Sequence, residues 1–391
     1  MSSSRRRAVL GVATFVVGAA ALVLWLGSGG TSTNAQGPRD RVINAGSKFS
    51  EDCSRTVSSL EAATAAVSSV TPGKVVCLTD GSYGKLWLNA SKTSPGVMLR
   101  AENPGGATLD GVSMQGVNLT VARFKITDDA EIEPGSIKMV LAHNRISDAY
   151  LGVDAGPTDS VTVNDAAIVG NKFVGPFGED AIRLNRYHDA NGDGIGILIE
   201  GNEITGVREN GNHSDCLQTV WVGDHLVFRK NYLHDNRCQG FFVKDQAAPI
   251  RGIILKNNLI LRDNLPCAAG ADGCGQPSIV QVFGPYTGFK MTNNTIWDGN
   301  DQVSFQNGSS RDSLIAKNVI SRIWTSTPIQ GAYRDNTRCK REATIGGSWP
   351  ASTPGEIVDC HPAFKNPAVD DYRLGHGRGV NWAPANQHYG P

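Results

Sequence analysis

At 391 residues, with 40% apolar and 19% charged side chains, the chain has the makings of a large core, and disorder over most of its length is excluded. Lysine plus arginine and aspartate plus glutamate both total 37, and the first 35 residues hold Arg5, Arg6 and Arg7 with no acid, so the remainder is slightly acidic. That balance argues against a nucleic-acid partner, while 45 glycines and only 7% aromatics point to short strands and frequent turns.

Arg5–Arg7 precede residues 8–27, an uncharged apolar run, and a Gly/Ser/Thr-rich stretch that ends at Ala35 and Gln36. Residues 1–35 read as an export segment, either a signal peptide cut near Ala35 or an uncleaved membrane anchor. The mature protein is then secreted, or is anchored with its body outside the cytoplasm and meets the membrane only through this segment. Residues 36–52 read as a linker. Next, 57–68 place Leu60, Ala63 and Val67 on one helical face, with Ser58 and Glu61 spaced as a capping box.

From residue 140 onward the chain repeats. Asn144, Asn171, Asn202, Asn231, Asn258, Asn294 and Asn318 each close an apolar strand, with an apolar residue three positions before (Leu141, Ile168, Ile199, Phe228, Leu255, Met291, Ile315) and two after (Ile146, Phe173, Ile204, Leu233, Ile260, Ile296, Ile320). Spacings of 24 to 36 residues with short β-type runs describe a solenoid. The expected fold is all-β, a single right-handed parallel β-helix over 53–335, whose asparagines sit in αL turns and hydrogen-bond from coil to coil. The 57–68 helix would plug the N-terminal end, and 336–391, which loses the repeat, would form an irregular C-terminal cap. Eight cysteines in an exported chain favour disulfides. Sequential pairing, the simplest of many, joins Cys53–Cys77, Cys216–Cys238, Cys267–Cys274 and Cys339–Cys360.

Residues 69–84 (SVTPGKVVCLTDGSYG) and 96–126 (GVMLRAENPGGATLDGVSMQGVNLTVARFKI) resemble the opening coils of the chondroitinase B/alginate lyase family. The ladder and 361–374 (HPAFKNPAVDDYRL) resemble the wider pectate-lyase-like superfamily. The resemblance implies a parallel β-helix, an architecture that carries lyases, hydrolases, epimerases and non-catalytic adhesins.

A second strand follows each asparagine, and the loops at 186–194, 208–214 and 266–277 are the insertions expected to wall a groove. If Ile182, Leu184, Leu217, Thr219, Phe241 and Val243 point inward, then Arg183, Gln218, Phe242, Lys244 and Gln281 form an outward polar row, with Asp180 and Asp215 at its edge. Cleaving a uronate polymer by β-elimination needs a group that neutralises the sugar carboxylate and a base that removes the adjacent proton. Lys244 is the expected base, with Arg183 and His213 binding the carboxylate or assisting proton transfer, and Gln218, Phe242 and Gln281 binding substrate. Calcium is a possible cofactor. Asp180, Asp215 and Asp245 are one candidate set of ligands, and 189–200 (DANGDGIGILIE) is another, matching a calcium-loop pattern through Asp189, Asn191, Asp193 and Glu200.

The expected function is an exported, monomeric polysaccharide lyase acting on an acidic polysaccharide. A surface glycan-binding or adhesion protein is the alternative, and would present aromatics such as Phe242, Trp221 and Tyr286. A hydrolase, with Asp180 and Asp215 facing each other across the groove, or an epimerase, is a further one.

Overall fold

The computed structural model describes residues 49, 52–156, 162–208, 214–219, 223–244, 250–262, 278–297, 302–306, 308, 310–344, 346–369 and 371–383. His213, Asp245, Cys267, Cys274, Trp221 and the export segment lie outside them.

The repeated apolar strands stack in register, each paired in parallel with its counterpart one coil away. A first face runs from Val75–Leu78 through Val97–Ala101, Leu119–Ala122, Val140–Ala142, Ala166–Val169, Ile197–Glu200, Leu226–Arg229 and Ile254–Lys256 to Lys290–Thr292 and Ser310–Ala316. A second face follows the asparagines (Arg145–Ser147, Lys172–Val174, Glu203–Thr205, Tyr232–Asn236, Leu259–Arg262). A third carries Ala130–Ile132, Val153–Ala155, Ile182–Leu184, Gln218–Thr219, Phe241–Lys244, Ser278–Phe283 and Gln302–Gln306. The second and third faces merge into one sheet because long strands round the corner between them: Ala107–Val117 pairs with both Lys125–Ile126 and Ala130–Ile132, and Val319–Thr325 with both Thr295–Ile296 and Gln302–Gln306. The chain is a parallel β-helix.

The interior is one continuous apolar cluster running from Val57 and Val67 at the N-terminal end to Ile329 and Tyr333 at the other. Helix α1 (Leu60–Ser69) covers the N-terminal end by burying Ala63, Ala66 and Val67. Its cap is Ser59, one position later than expected, with the side chain accepting from the Ala62 N–H at 3.2 Å.

The asparagines form an uninterrupted hydrogen-bonded ladder. In each, the backbone N–H and the Nδ2 both donate to Oδ1 of the next, at 2.9–3.2 Å, from Asn144 to Asn336. Nδ2 also donates to a backbone carbonyl one coil back, as Asn231 does to Ile199 at 3.0 Å. The expected αL geometry falls one residue earlier: His143, Gly170, Gly201, Lys230, Asn257, Asn293, Lys317 and Asp335 have φ between 54° and 64°. That residue turns the chain, leaving the asparagine free to satisfy buried backbone groups on two coils.

The ladder passes the expected boundary at residue 335. Asn336 is its last rung, Thr337–Ala343 pairs in parallel with Val319–Thr325, and Ile357–Val358 adds beyond it. The remaining tail is more than an end cap. Trp349 packs on the core beside Tyr333, but Val380 and Trp382 lie against Tyr232 and Leu259 of the second face. The Trp382 Nε1 donates to the Asn257 carbonyl at 2.7 Å, and the Gly379 N–H to that of Lys317 at 2.7 Å. Disulfides join Cys53–Cys77, Cys216–Cys238 and Cys339–Cys360, bonds of the kind that persist in an oxidising environment. Among the described residues no helix is long and apolar enough to cross a membrane.

Candidate functional site

Strand alternation on the third face sets interior residues such as Ile182, Leu184, Phe241 and Val243 against outward ones. The outward residues form a single cross-coil row: Trp87, Ser113, Glu131, Asp154, Arg183, Gln218, Phe242, Gln281, Ser304, Trp324 and Glu342 stand in register from strand to strand. Arg183, Gln218, Phe242 and Gln281 are therefore neighbours on successive coils. Lys244 is exposed two residues beyond Phe242 and in register with Phe283. Two coil steps and two residues of strand rise separate Arg183 from Lys244, ~12 Å between their Cα atoms.

Arg183 is gripped from two sides. One Nη donates to Asp154 at 2.6 Å and the other to Glu179 at 3.0 Å. Asp154 is buried and also accepts from Asn185 at 3.1 Å. Burial pushes its carboxyl up against the pull of the Arg183 guanidinium. Glu179 is more accessible and accepts from the Tyr150 hydroxyl at 2.8 Å; that hydrogen bond and burial raise the phenol. Tyr150 is 52% exposed and Trp87 62%, so the N-terminal half of this face offers two open aromatic rings. Lys85 lies 4.8 Å from the Trp87 ring centre and pairs with Glu131 at 2.7 Å. Farther along, Phe242 meets Phe283 edge-on at 5.7 Å.

Asp180 and Asp215 sit beneath the row. Both are buried, Asp180 accepting from the Asp215 N–H at 2.8 Å and Asp215 from the Gln218 Nε2 at 2.7 Å. Burial pushes the Asp180 carboxyl up to about 7 against that backbone hydrogen bond. The two carboxylates hold a corner together and do not face each other across an open groove, which is the arrangement a hydrolase requires. Gln281 is likewise buried and accepts from Gln239 at 2.8 Å. Tyr286, expected as an exposed platform, is buried in the core against Phe289 and Phe305, and burial raises its hydroxyl.

The 189–200 set does not converge. Asp189 and Asn191 accept from the backbone N–H groups of Asp193 and Gly194, and Asp193 from that of Ile195, all at 2.8–3.1 Å, the bonding of a self-capped turn. Glu200 points out from the first face into Arg229 at 2.7 Å and Lys230 at 3.4 Å. These residues, like Asp180 and Asp215, do not fit a calcium ion. Among the described residues no group of three or more His, Cys, Asp or Glu is arranged to hold a metal.

Asp154, Glu179, Tyr150 and Glu131 escaped the sequence reading. Alternation in 153–155 (VDA) carried the signal for Asp154, which takes on its coil the register position that Arg183 takes on the next.

No family model matches the chain, and no curated protein does. Similar solved structures include a mannuronic-acid-specific polysaccharide family 6 lyase from human gut microbiota (12% identity, 85% of this chain and 97% of that one, TM-score 0.42). A family 6 alginate lyase in complex with a trisaccharide aligns over 88% of this chain and 97% of its own (12% identity, TM-score 0.42). A pectate lyase aligns over 88% and 93% (11% identity, TM-score 0.34). At this distance they transfer no residue roles to this chain.

Proposed function

We propose that the chain is an exported polysaccharide lyase that lays an acidic, uronate-containing polysaccharide across the outward row of the third face and cleaves it by β-elimination. The observation that supports this reading is the row itself: an anchored arginine, an amide, an aromatic pair and an exposed lysine on consecutive coils. In this reading a sugar carboxylate displaces Glu179, the more accessible of the two Arg183 partners, while Asp154 holds the guanidinium in place. Lys244 takes the proton from the carbon beside that carboxylate. The electron pair left behind forms a carbon–carbon double bond, the glycosidic bond one carbon farther on breaks, and the departing oxygen takes up a proton. The scheme routes no step through calcium.

A non-catalytic glycan-binding role is the second reading, favoured by the exposed rings of Trp87 and Tyr150 on the same face. Incubation with pectate, alginate and chondroitin sulfate, each with calcium or with a chelator, separates the readings. Elimination produces ultraviolet absorbance from the new double bond. New reducing ends without absorbance indicate hydrolysis, and retention of the polymer with neither indicates binding alone.

A further inference from the structure

The third face carries one arrangement twice. At Arg183 a cation is tied to a partly exposed carboxylate, Glu179, which in turn holds the hydroxyl of an open ring, Tyr150. Nearer the N-terminal end, Lys85 donates to Glu131 at 2.7 Å and lies 4.8 Å from the centre of the Trp87 ring, itself 62% exposed. The two sets share a register. Trp87 pairs with Ser113, Ser113 with Glu131, Glu131 with Asp154 and Asp154 with Arg183. The coils of Trp87 and Arg183 are therefore ~19 Å apart along the solenoid axis at the usual strand spacing.

A glycine makes room for the N-terminal set. Lys85 stands opposite Gly111 on the next strand, and Glu131 belongs to the strand after that, so the lysine stem crosses an intervening coil to reach its partner. A Cβ at Gly111 would come within 3.3 Å of the Lys85 Cγ and 3.5 Å of its Cδ. Any larger residue there would crowd the stem.

The Lys85 and Glu131 side chains are 32% and 24% exposed, and a pair so open to water contributes little to stability. Neither Lys85 nor Trp87 belongs to the apolar interior. An ammonium carries three N–H donors, so a second carboxylate can join Glu131 on Lys85. The indole adds a flat apolar surface of the kind that the C–H side of a sugar ring covers. In the row between the two sets, Glu131 is neutralised by Lys85 and Asp154 by Arg183. Given the acidic polysaccharide proposed for the third face, on which this rests, we infer that Lys85 and Trp87 form a second uronate subsite and that the polymer runs along the solenoid axis over both. Trp87 stacks one sugar ring while the Lys85 ammonium holds its carboxylate, and Arg183 holds the carboxylate of a sugar farther along the same chain.

Electrophoresis of the exported chain through native gels containing pectate, alginate or chondroitin sulfate reads binding without requiring cleavage, with dextran as the uncharged control. The unaltered protein is expected to be retarded by a uronate polymer and not by dextran. Trp87→Ala and Lys85→Met are each expected to weaken the apparent affinity at least ~10-fold at an unchanged urea midpoint. Lys85→Arg, which keeps the charge, is expected to restore most of it. Lys172→Met removes the same charge from the second face, where Lys172 pairs with Glu203, and is expected to leave retardation unaltered. Undiminished retardation of Trp87→Ala overturns the subsite, whatever the ultraviolet assay returns. An equal loss in Lys172→Met overturns it too, since attraction by net charge would then account for binding, as does free passage of the unaltered protein through all three uronate gels. Absence of ultraviolet product with the expected pattern of retardation would remove the elimination chemistry and leave the subsite standing.

Discussion

The asparagine turn and the outward row of the third face are cut from the same coils, and they follow opposite rules. At the turn one residue type recurs from Asn144 to Asn336, because only a side chain with an acceptor and two donors on a short stem satisfies backbone groups of two coils at once. Along the outward row no residue type carries over from one coil to the next: aspartate, arginine, glutamine, phenylalanine and glutamine succeed one another in register. A position that repeats serves the stacking of coils. A position that changes at every coil is released from that demand and is where recognition can be built.

The largest test of this contrast is Asn231→Ala. It removes the acceptor of the Asn202 N–H and Nδ2 and the donor to the Ile199 carbonyl. Asn202 Nδ2 keeps its bond to the Ile168 carbonyl, so the loss of these three bonds is expected to cost about 3 kcal/mol, read as a fall in the urea midpoint. Trp87→Ala, in the outward row and 62% exposed, is expected to move that midpoint by less than about 1 kcal/mol; equal losses at the two sites would erase the distinction.

Asp180 lies under the row but belongs to the scaffold, and its titration shows this. A carboxyl raised to about 7 by burial contributes stability that is complete below the ordinary aspartate range and is lost as pH rises toward 7. Asp180→Asn keeps an acceptor for the Asp215 N–H and removes the titration. The variant is expected to be the more stable protein at pH 8, by about 1 kcal/mol or more, with the gap closing near pH 4. A pH-independent difference would show that Asp180 is not desolvated.

A further effect, smaller than that at Asn231, is expected at His234, on the outer side of the second face. Burial disfavours its charged ring, but hydrogen bonds with Glu203 at 3.0 Å and Asp235 at 2.7 Å outweigh that and raise its pKa. Its contribution is therefore full below the ordinary histidine range and is lost as pH rises through the elevated value. His234→Gln is expected to cost about 1 kcal/mol at pH 5.5 and less at pH 9, measured by unfolding at each pH.

The repeating part of the molecule was the legible part. Seven asparagines with apolar flanks announced the solenoid, and Asn336 was missed because Arg338 stands where the other coils carry an apolar residue. The row positions of Arg183, Gln218, Phe242 and Lys244 followed from alternation alone, since period-two patterning fixes which side chains face outward. What alternation does not carry is the partner of each side chain. Arg183 is held by Asp154 from the previous coil, 29 residues away, and Glu200 by Arg229 from the next. The same holds for the calcium-loop pattern: spacing places Glu200 in line with Asp189, Asn191 and Asp193, but does not show that its carboxylate pairs with Arg229 and Lys230.

The proposed elimination turns on Lys244, and one comparison tests it directly. Initial rates of ultraviolet absorbance increase on the preferred uronate polymer are measured for the unaltered protein and for Lys244→Ala, with urea midpoints taken alongside. Loss of a general base predicts a rate at least ~100-fold lower at an unchanged midpoint. Equal rates from the two proteins would remove Lys244, and with it the third-face site, from the chemistry.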